Sequence, residues 1–368
     1  MKPVRFLRAV RLTQAISLFF AALLIVLVIL PTQQSPATVI GTMLSGAFGS
    51  WEMVARAATT LAPVLLCAAG LAFTFSAGLY NLGVEGQVLA GSIATTALVR
   101  VLFPEGGEAL APPVVIMALG IVAGFIGGML WGLLAGLLHV YGRISEIFAG
   151  LGLNFVAQGM AIFLIFGPWK RAGVASMSGT ALFDESVWLP VIGVTELSPA
   201  ALVLAGVALI VALVVLRNTV FGLRLRAVGH SLRSSFILGI PATQHMLSAF
   251  AICGAFAGLA GATQALAVFH RLIPGISSNL GYLGLLVAML ANYNPIWLLP
   301  IAAFFSALNI GALKLPSELK VESSLAGVIQ GILVLAVLLG RGLPNWPAAR
   351  ALDRKVRTKL GLDDDAAA

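Results

Sequence analysis

The stretch Ser76-Ala77-Gly78-Leu79-Tyr80-Asn81-Leu82-Gly83-Val84-Glu85-Gly86-Gln87 gathers polar groups that the rest of the chain mostly lacks. A carboxylate, two amides and three glycines lie between two apolar runs, with hardly any soluble loop to hold them. A charge in hydrocarbon costs roughly 2.5 to 3.5 kcal/mol on insertion scales, so polar groups kept there are candidates for function. Two readings of Asn81, Glu85 and Gln87 stand side by side. The irregular backbone edges a cavity or pore, or it is a tight inner turn whose Glu85 caps the first turn of the following helix. Asn154 and Gln158, one helical turn apart, invite a similar pair: hydrogen bonding between helices, or a polar lining for a hydrophilic solute.

Further along, Gly254, Gly258 and Gly261 set small residues on one helical face, where two helices can approach closely. His270 and Arg271 return the chain from the outer side, and Asn292-Tyr293-Asn294-Pro295 forms a short inner turn. Between Gly222 and Pro241, apolar residues at 225, 228, 232 and 236 predict one amphipathic helix with a basic opposite face bearing Arg224, Arg226 and Arg233. Its plain reading is an interfacial helix. No catalytic or metal constellation accompanies these groups. The sequence has no Gly-rich phosphate loop ending in Lys-Ser/Thr, no His-Glu-x-x-His pair and no Gly-x-Ser-x-Gly elbow. Nor does it carry the series of membrane carboxylates that proton-driven carriers use. Cys67 and Cys253 lie in separate apolar segments without metal or disulfide spacing.

Composition dictates the scaffold around these residues. Of 368 residues, 60% are apolar and 10% charged, against roughly 25% charged in a soluble domain. Long segments are apolar all round, so lipid is their solvent. Continuous runs without period-two alternation exclude a barrel. The prediction is an all-α, polytopic transmembrane bundle forming a single domain, with about ten spans of about 20 residues. They run over 12–30, 57–77, 85–103, 114–139, 146–167, 199–216, 246–268, 279–291, 295–313 and 323–340. The first is read as a signal anchor and 341–368 as a cytoplasmic tail. Residues 38–53 are too short and too rich in Gly and Ser to cross and are read as an interfacial helix outside. The outward loop 168–198, with Trp169 and Trp188, is a membrane-interface belt or a docking site for an external partner.

The net charge of +8 resides in short loops and does not point to nucleic acid. With ten spans and the N-terminus inside, 15 of the 22 basic residues face the cytoplasm, including Arg217, Arg224, Arg226 and Arg233. That 15 to 7 split obeys the positive-inside rule and puts both termini in the cytoplasm.

Four motifs in register, AGLYNLGVEGQVLAG, SEIFAGLGLNFVA, FGLRLRAVGHSLRSSFILGI and GAFAGLAGATQALAVFHRLIPGISSNLGYLGLLVAMLANYNP, resemble the permease subunits of bacterial ABC importers. The branched-chain amino acid and simple-sugar type is the nearest, specifically its nucleoside-uptake branch. The likeness covers about residues 55 to 340. Asn81 to Gln87 looks like that branch's Asn-Ile-Gly-x-Glu-Gly-Gln signature, with Leu82 in place of Ile. The resemblance implies a multi-pass protein of the bacterial plasma (inner) membrane. It implies as partners a second permease, two cytoplasmic ATPase subunits and an external binding protein or lipoprotein. No cofactor belongs to this chain, because ATP and Mg are bound by the ATPase. It also makes 217–241 the coupling segment, whose rigid helix transmits ATP-driven closure. Gly229, Ile240 and Pro241 join the three arginines there. The family's Glu-Ala-Ala…Gly motif survives only as Arg226-Ala227-Val228-Gly229, so the contact cannot rest on a glutamate. Asn81, Glu85, Gln87, Asn154 and Gln158 become the expected solute path, for a nucleoside or a related simple sugar. The competing expectation is an ion-coupled secondary carrier or channel in which Glu85 holds a proton or sodium ion.

Overall fold

The structure, a computed structural model, describes residues 19–171, 179–193, 197–292 and 294–342. The start of the first expected span, most of the cytoplasmic tail and parts of the outward loop lie outside these. Every regular element among the described residues is a helix, as continuous apolar sequence requires when the backbone must bond within its own segment.

Six of the expected spans coincide with helices long and apolar enough to cross a bilayer: α3 (Trp51–Ser76), α5 (Pro113–Val140), α6 (Glu146–Phe166), α7 (Pro199–Asn218), α10 (Ala242–Thr263, continued to Val268 by a π-helical turn) and α12 (Pro295–Ala312). The other four are helical but depart from simple spans. α1 (Phe19–Thr32) meets α2 (Pro36–Phe48) at 95°. The corner is local: Pro31 lacks an N–H, Gln33 is left-handed at φ 59°, and the Ser35 hydroxyl accepts from Thr38 N–H at 3.1 Å to begin α2. α4 (Val84–Leu102) carries Gln87, Ser92, Thr95 and Thr96, all fully buried, and so falls short on apolarity. α11 (Leu280–Leu290) has only 11 residues, about 16 Å at 1.5 Å per residue and half the hydrocarbon thickness. α14 (Leu325–Gly342) is also short. The expected interfacial helix 38–53 is split, since α2 ends at Phe48 and the Ser50 hydroxyl starts α3 by accepting from Met53 N–H at 3.3 Å.

The chain divides into two compact units, one of residues 47–310 and the other of the segments before and after it in sequence. In the smaller, Gly46 and Gly311 meet backbone to backbone, and a Cβ at either would strike a carbonyl. In the larger, α3 and α10 are innermost, with 78% and 72% of their most apolar windows buried; for α5, α6 and α7 the figures are 22% to 28%.

α5 explains this layering residue by residue. Gly120, Gly124, Gly128, Gly132 and Gly136 are buried, while Val122, Ile126, Leu130 and Leu134 point outward. Small residues turn in and large apolar ones turn out, the arrangement expected when lipid is the solvent and close backbone contact holds helices together. Gly124, Gly128 and Gly132 face Gly254 and Gly258 on α10, and a Cβ at Gly128 or Gly258 would penetrate the opposing backbone. Gly91 of α4 packs on Gly258, and Gly261 lies against Val88 and Ser92, whose hydroxyl donates to Gly261 O at 3.0 Å. All three glycines singled out on α10 thus lie directly against the backbone of a neighbouring helix.

Candidate functional site

The chain reverses direction after α3 through residues 77–83, with Gly78 at φ 73°. α4 then starts at Val84, leaving Asn81 in the turn before it and Glu85 and Gln87 in its first turn, and Glu85 parts company with the two amides. Asn81 and Gln87 are both fully buried and pair their amides reciprocally, Asn81 Nδ2 donating to Gln87 Oε1 at 3.1 Å and Gln87 Nε2 to Asn81 Oδ1 at 3.3 Å. Asn81 also accepts from Gly83 N–H at 3.1 Å and donates to Cys253 Sγ of α10 at 3.1 Å. This is an internal clamp, and neither amide is among the residues that line the recess beside Glu85.

Glu85 points the other way and caps a helix, though not its own. Its carboxylate accepts from Asn279 N–H at 3.0 Å and Gly281 N–H at 2.9 Å, holding the start of α11 some 195 residues along the chain. A carboxylate at a helix N-terminus satisfies orphan donors and complements the dipole. The connection into α11 needs such a clasp, because Ser278 and Asn279 both hold positive φ, at 48° and 60°.

Asn154 of α6 ties this junction together. Its Oδ1 accepts from Gly86 N–H at 2.8 Å, and its Nδ2 donates to Leu82 O at 2.9 Å and to Tyr282 Oη at 3.0 Å. Beside these groups lies a recess of about 290 Å³ bounded by Glu85, Asn154, Phe155, Gln158, Asn279 and Tyr282, among others. Of the five residues expected on a solute path, the recess gathers Glu85, Asn154 and Gln158 and leaves out Asn81 and Gln87. Phe155, Asn279 and Tyr282 escaped notice in the sequence. Tyr282 and Asn279 stand in an apolar run that gives no hint of approaching Glu85; Phe155 sits between Asn154 and Gln158 and could have been read from that neighbourhood.

The segment expected as one amphipathic helix is two. α8 (Val220–His230) ends where Ser231 turns extended at φ −160°, and the Ser231 hydroxyl accepts from Ser234 N–H at 3.2 Å to open α9 (Leu232–Ile237). The apolar stripe divides with it. Leu225 and Val228 are buried, whereas Leu232 and Phe236 are exposed, Phe236 by 83%. A serine in extended conformation interrupts the 3.6-residue period, so the second half faces a different way. Gly229 packs against Ser76, Ala77 and Gly78, so α8 rests on the turn that leads to Asn81. Arg224, Arg226 and Arg233 are exposed, and Ile240 and Pro241 follow the left-handed Gly239 at φ 68°. Arg217, at the end of α7, donates to Asn294 Oδ1 at 3.0 Å.

On the opposite side in the expected topology, part of the 168–198 loop is strapped to the residues after α10. Thr180 N–H donates to Leu272 O at 2.9 Å, Phe183 N–H to His270 O at 2.8 Å and Leu189 N–H to Leu266 O at 3.0 Å. Trp188 stacks on His270 with centroids 3.8 Å apart. Asp184 accepts from the Ser186 hydroxyl at 2.6 Å and Ser186 N–H at 3.0 Å, which lowers its carboxyl below the usual range.

A family model described as branched-chain amino acid transport system / permease component matches residues 53–338. The chain belongs to this permease family. Among curated relatives, the permease is 28% identical to the guanosine ABC transporter permease protein NupP of Bacillus subtilis (strain 168), over 84% of its length and 88% of that protein's. It is 25% identical to the nucleoside ABC transporter permease protein NupB of Lactococcus lactis subsp. cremoris (strain MG1363), over 82% and 83%. Against the glucose ABC transporter permease protein TsgB13 of Haloferax volcanii, identity is 25% over 85% and 82%. The matched region contains the recess, the α8–α9 connector and the glycine seam. The permease is a multi-pass membrane protein of the kind that ABC importers use as their transmembrane subunit.

Proposed function

We propose that the permease moves a nucleoside, or a related simple sugar, across the bacterial plasma membrane within an ABC importer. An external binding protein or lipoprotein delivers the solute, cytoplasmic ATPase subunits supply the energy, and a second permease, identical or different, completes the pathway. The chain itself forms the transmembrane domain and carries no ATP, Mg or catalytic group.

One observation carries this reading: polar side chains converge on an open recess in a region otherwise built for lipid. A carboxylate, amides and a phenol facing hydrocarbon would be costly, so such a face belongs against water, solute or another subunit. The glycine seam supports the rest by giving a stiff scaffold, since backbone-to-backbone contacts leave little room for relative sliding. The α8–α9 connector offers the ATPase three arginines and an exposed apolar tip at Phe236, Ile237 and Leu238. Resting on Gly78, it is mechanically continuous with the clamp at Asn81.

The test is reconstitution of the chain with its ATPase and binding protein in liposomes. ATP-dependent accumulation of uridine, guanosine or ribose is the expected result. Failure to accumulate any of them, or uptake that persists without the ATPase and collapses with an ionophore, defeats the reading.

A further inference from the structure

Most polar side chains of the recess are already engaged, which leaves few to meet a solute. Glu85 is committed to the N-terminus of α11, and Asn154 spends its amide on Gly86, Leu82 and Tyr282. The side-chain amide of Gln158 meets no hydrogen-bonding partner among the described residues, and it is half-buried in the recess wall. An unpaired amide is not left against hydrocarbon without cost, so Gln158 is available to a ligand. Three residues before it on the same helix, Phe155 lines the same recess and is 79% exposed. Residues at that spacing share one face of a helix.

An open aromatic face beside a free amide matches one half of a nucleoside closely. A flat base stacks on a ring, and an amide pairs in two directions with the donor and acceptor on a base edge. A free sugar has hydroxyls but no flat π face. Resting on the proposed importer function, we propose that Phe155 and Gln158 are the nucleobase-binding pair of the recess and make the membrane pathway selective for nucleosides over free sugars. The base lies on Phe155 with its edge toward Gln158. The sugar is directed across the recess toward Asn279, whose amide likewise has no hydrogen-bonding partner among the described residues.

Chemical protection in membrane vesicles bearing the full chain tests this independently of ATP-driven uptake. Cys67 and Cys253 are fully buried, so Ser278→Cys, on the exposed rim of the recess, supplies the reactive thiol for a small maleimide. Millimolar uridine is expected to slow its alkylation, and ribose at the same concentration to leave the rate unchanged. Adding Phe155→Leu, which keeps apolar bulk but removes the ring face, should raise the uridine needed for half-protection about 10-fold, the scale of one lost base–aromatic stack. Gln158→Leu should alter the ratio of adenosine to uridine protection, because the two bases present different edges. Equal protection by ribose, no protection by uridine, or unchanged uridine protection with Phe155→Leu overturns the assignment. If ATP-driven nucleoside uptake is intact in those cases, the importer reading survives and only the base-binding pair is lost.

Discussion

The reciprocal pairing of Asn81 with Gln87 makes each amide the solvent of the other. Both are fully buried, so removing one strands its partner where water cannot compensate. Asn81→Ala is expected to destabilise the protein by about 1–3 kcal/mol, read as a fall in the melting temperature of the detergent-solubilised chain. Asn81→Asp should be worse, because it retains the acceptor to Gly83 N–H but adds a buried charge and removes the donor to Gln87. A melting temperature at the wild-type value for both variants would mean that the clamp contributes nothing. Glu85→Gln tests a different residue and a different property. The amide still accepts from one backbone N–H at the start of α11 but turns an NH₂ toward the other, and the charge that complements the helix dipole is gone. Loss of about 1 kcal/mol is expected, with faster hydrogen exchange at Asn279 and Gly281 localising the effect. Exchange unchanged there would show that Glu85 does not hold α11.

At the scale of elements, the seam of α5 on α10 depends on the absence of side chains. Gly258→Val would drive two methyl groups into the backbone of Gly124 and Gly128, where even a Cβ has no room. Overpacking of this kind costs about 1–3 kcal/mol and occasionally more, and here it should appear as failure to insert or to survive solubilisation. Gly206 on α7 supplies the contrast, since a Cβ there meets nothing. Gly206→Ala is expected to raise stability by up to about 1 kcal/mol through helix propensity alone. The two substitutions together separate packing from propensity, and equal outcomes would defeat the seam.

How far these elements could be read from sequence depends on what each signal records. The crossing helices were legible because hydropathy reports solvent, and the glycines of α10 were legible because their spacing is local. Their partners on α5 repeat every four residues from Gly120 to Gly136 and carry the same signal in plain view. The break at Ser231 was hidden by an apolar period that continues through it, since periodicity cannot reveal a serine that caps a new helix. The cap on α11 was hidden for a stronger reason. Glu85 has the appearance of a residue that stabilises its own first turn, and only the packing of α4 beside α11 turns it toward a segment 195 residues away. Burial divided Asn81 and Gln87 from Glu85 although the three stand within seven residues: Glu85 and Gln87 face different sides of α4, and Asn81 folds back from the preceding turn onto Gln87.

For the whole molecule, the coupling reading rests on one topological demand: α8 and α9 must face the compartment that holds ATP. The charge distribution predicts it, and Arg233 and Phe236 are exposed wherever they face. Because Cys67 and Cys253 are both fully buried, introduced thiols can be labelled against a low background. Arg233→Cys should resist a membrane-impermeant maleimide in intact cells and react after permeabilisation. Asp184→Cys, on the exposed turn beside Trp188, should react in intact cells. The two sites form an internal control, since among the described residues α7 is the single long apolar helix between them and an odd number of crossings must put them on opposite sides. Labelling of Arg233→Cys from outside would place the arginines and the apolar tip beyond reach of any cytoplasmic ATPase. It would equally reverse the 15 to 7 charge asymmetry, so the physical basis of the orientation and the proposed route of energy would fall together.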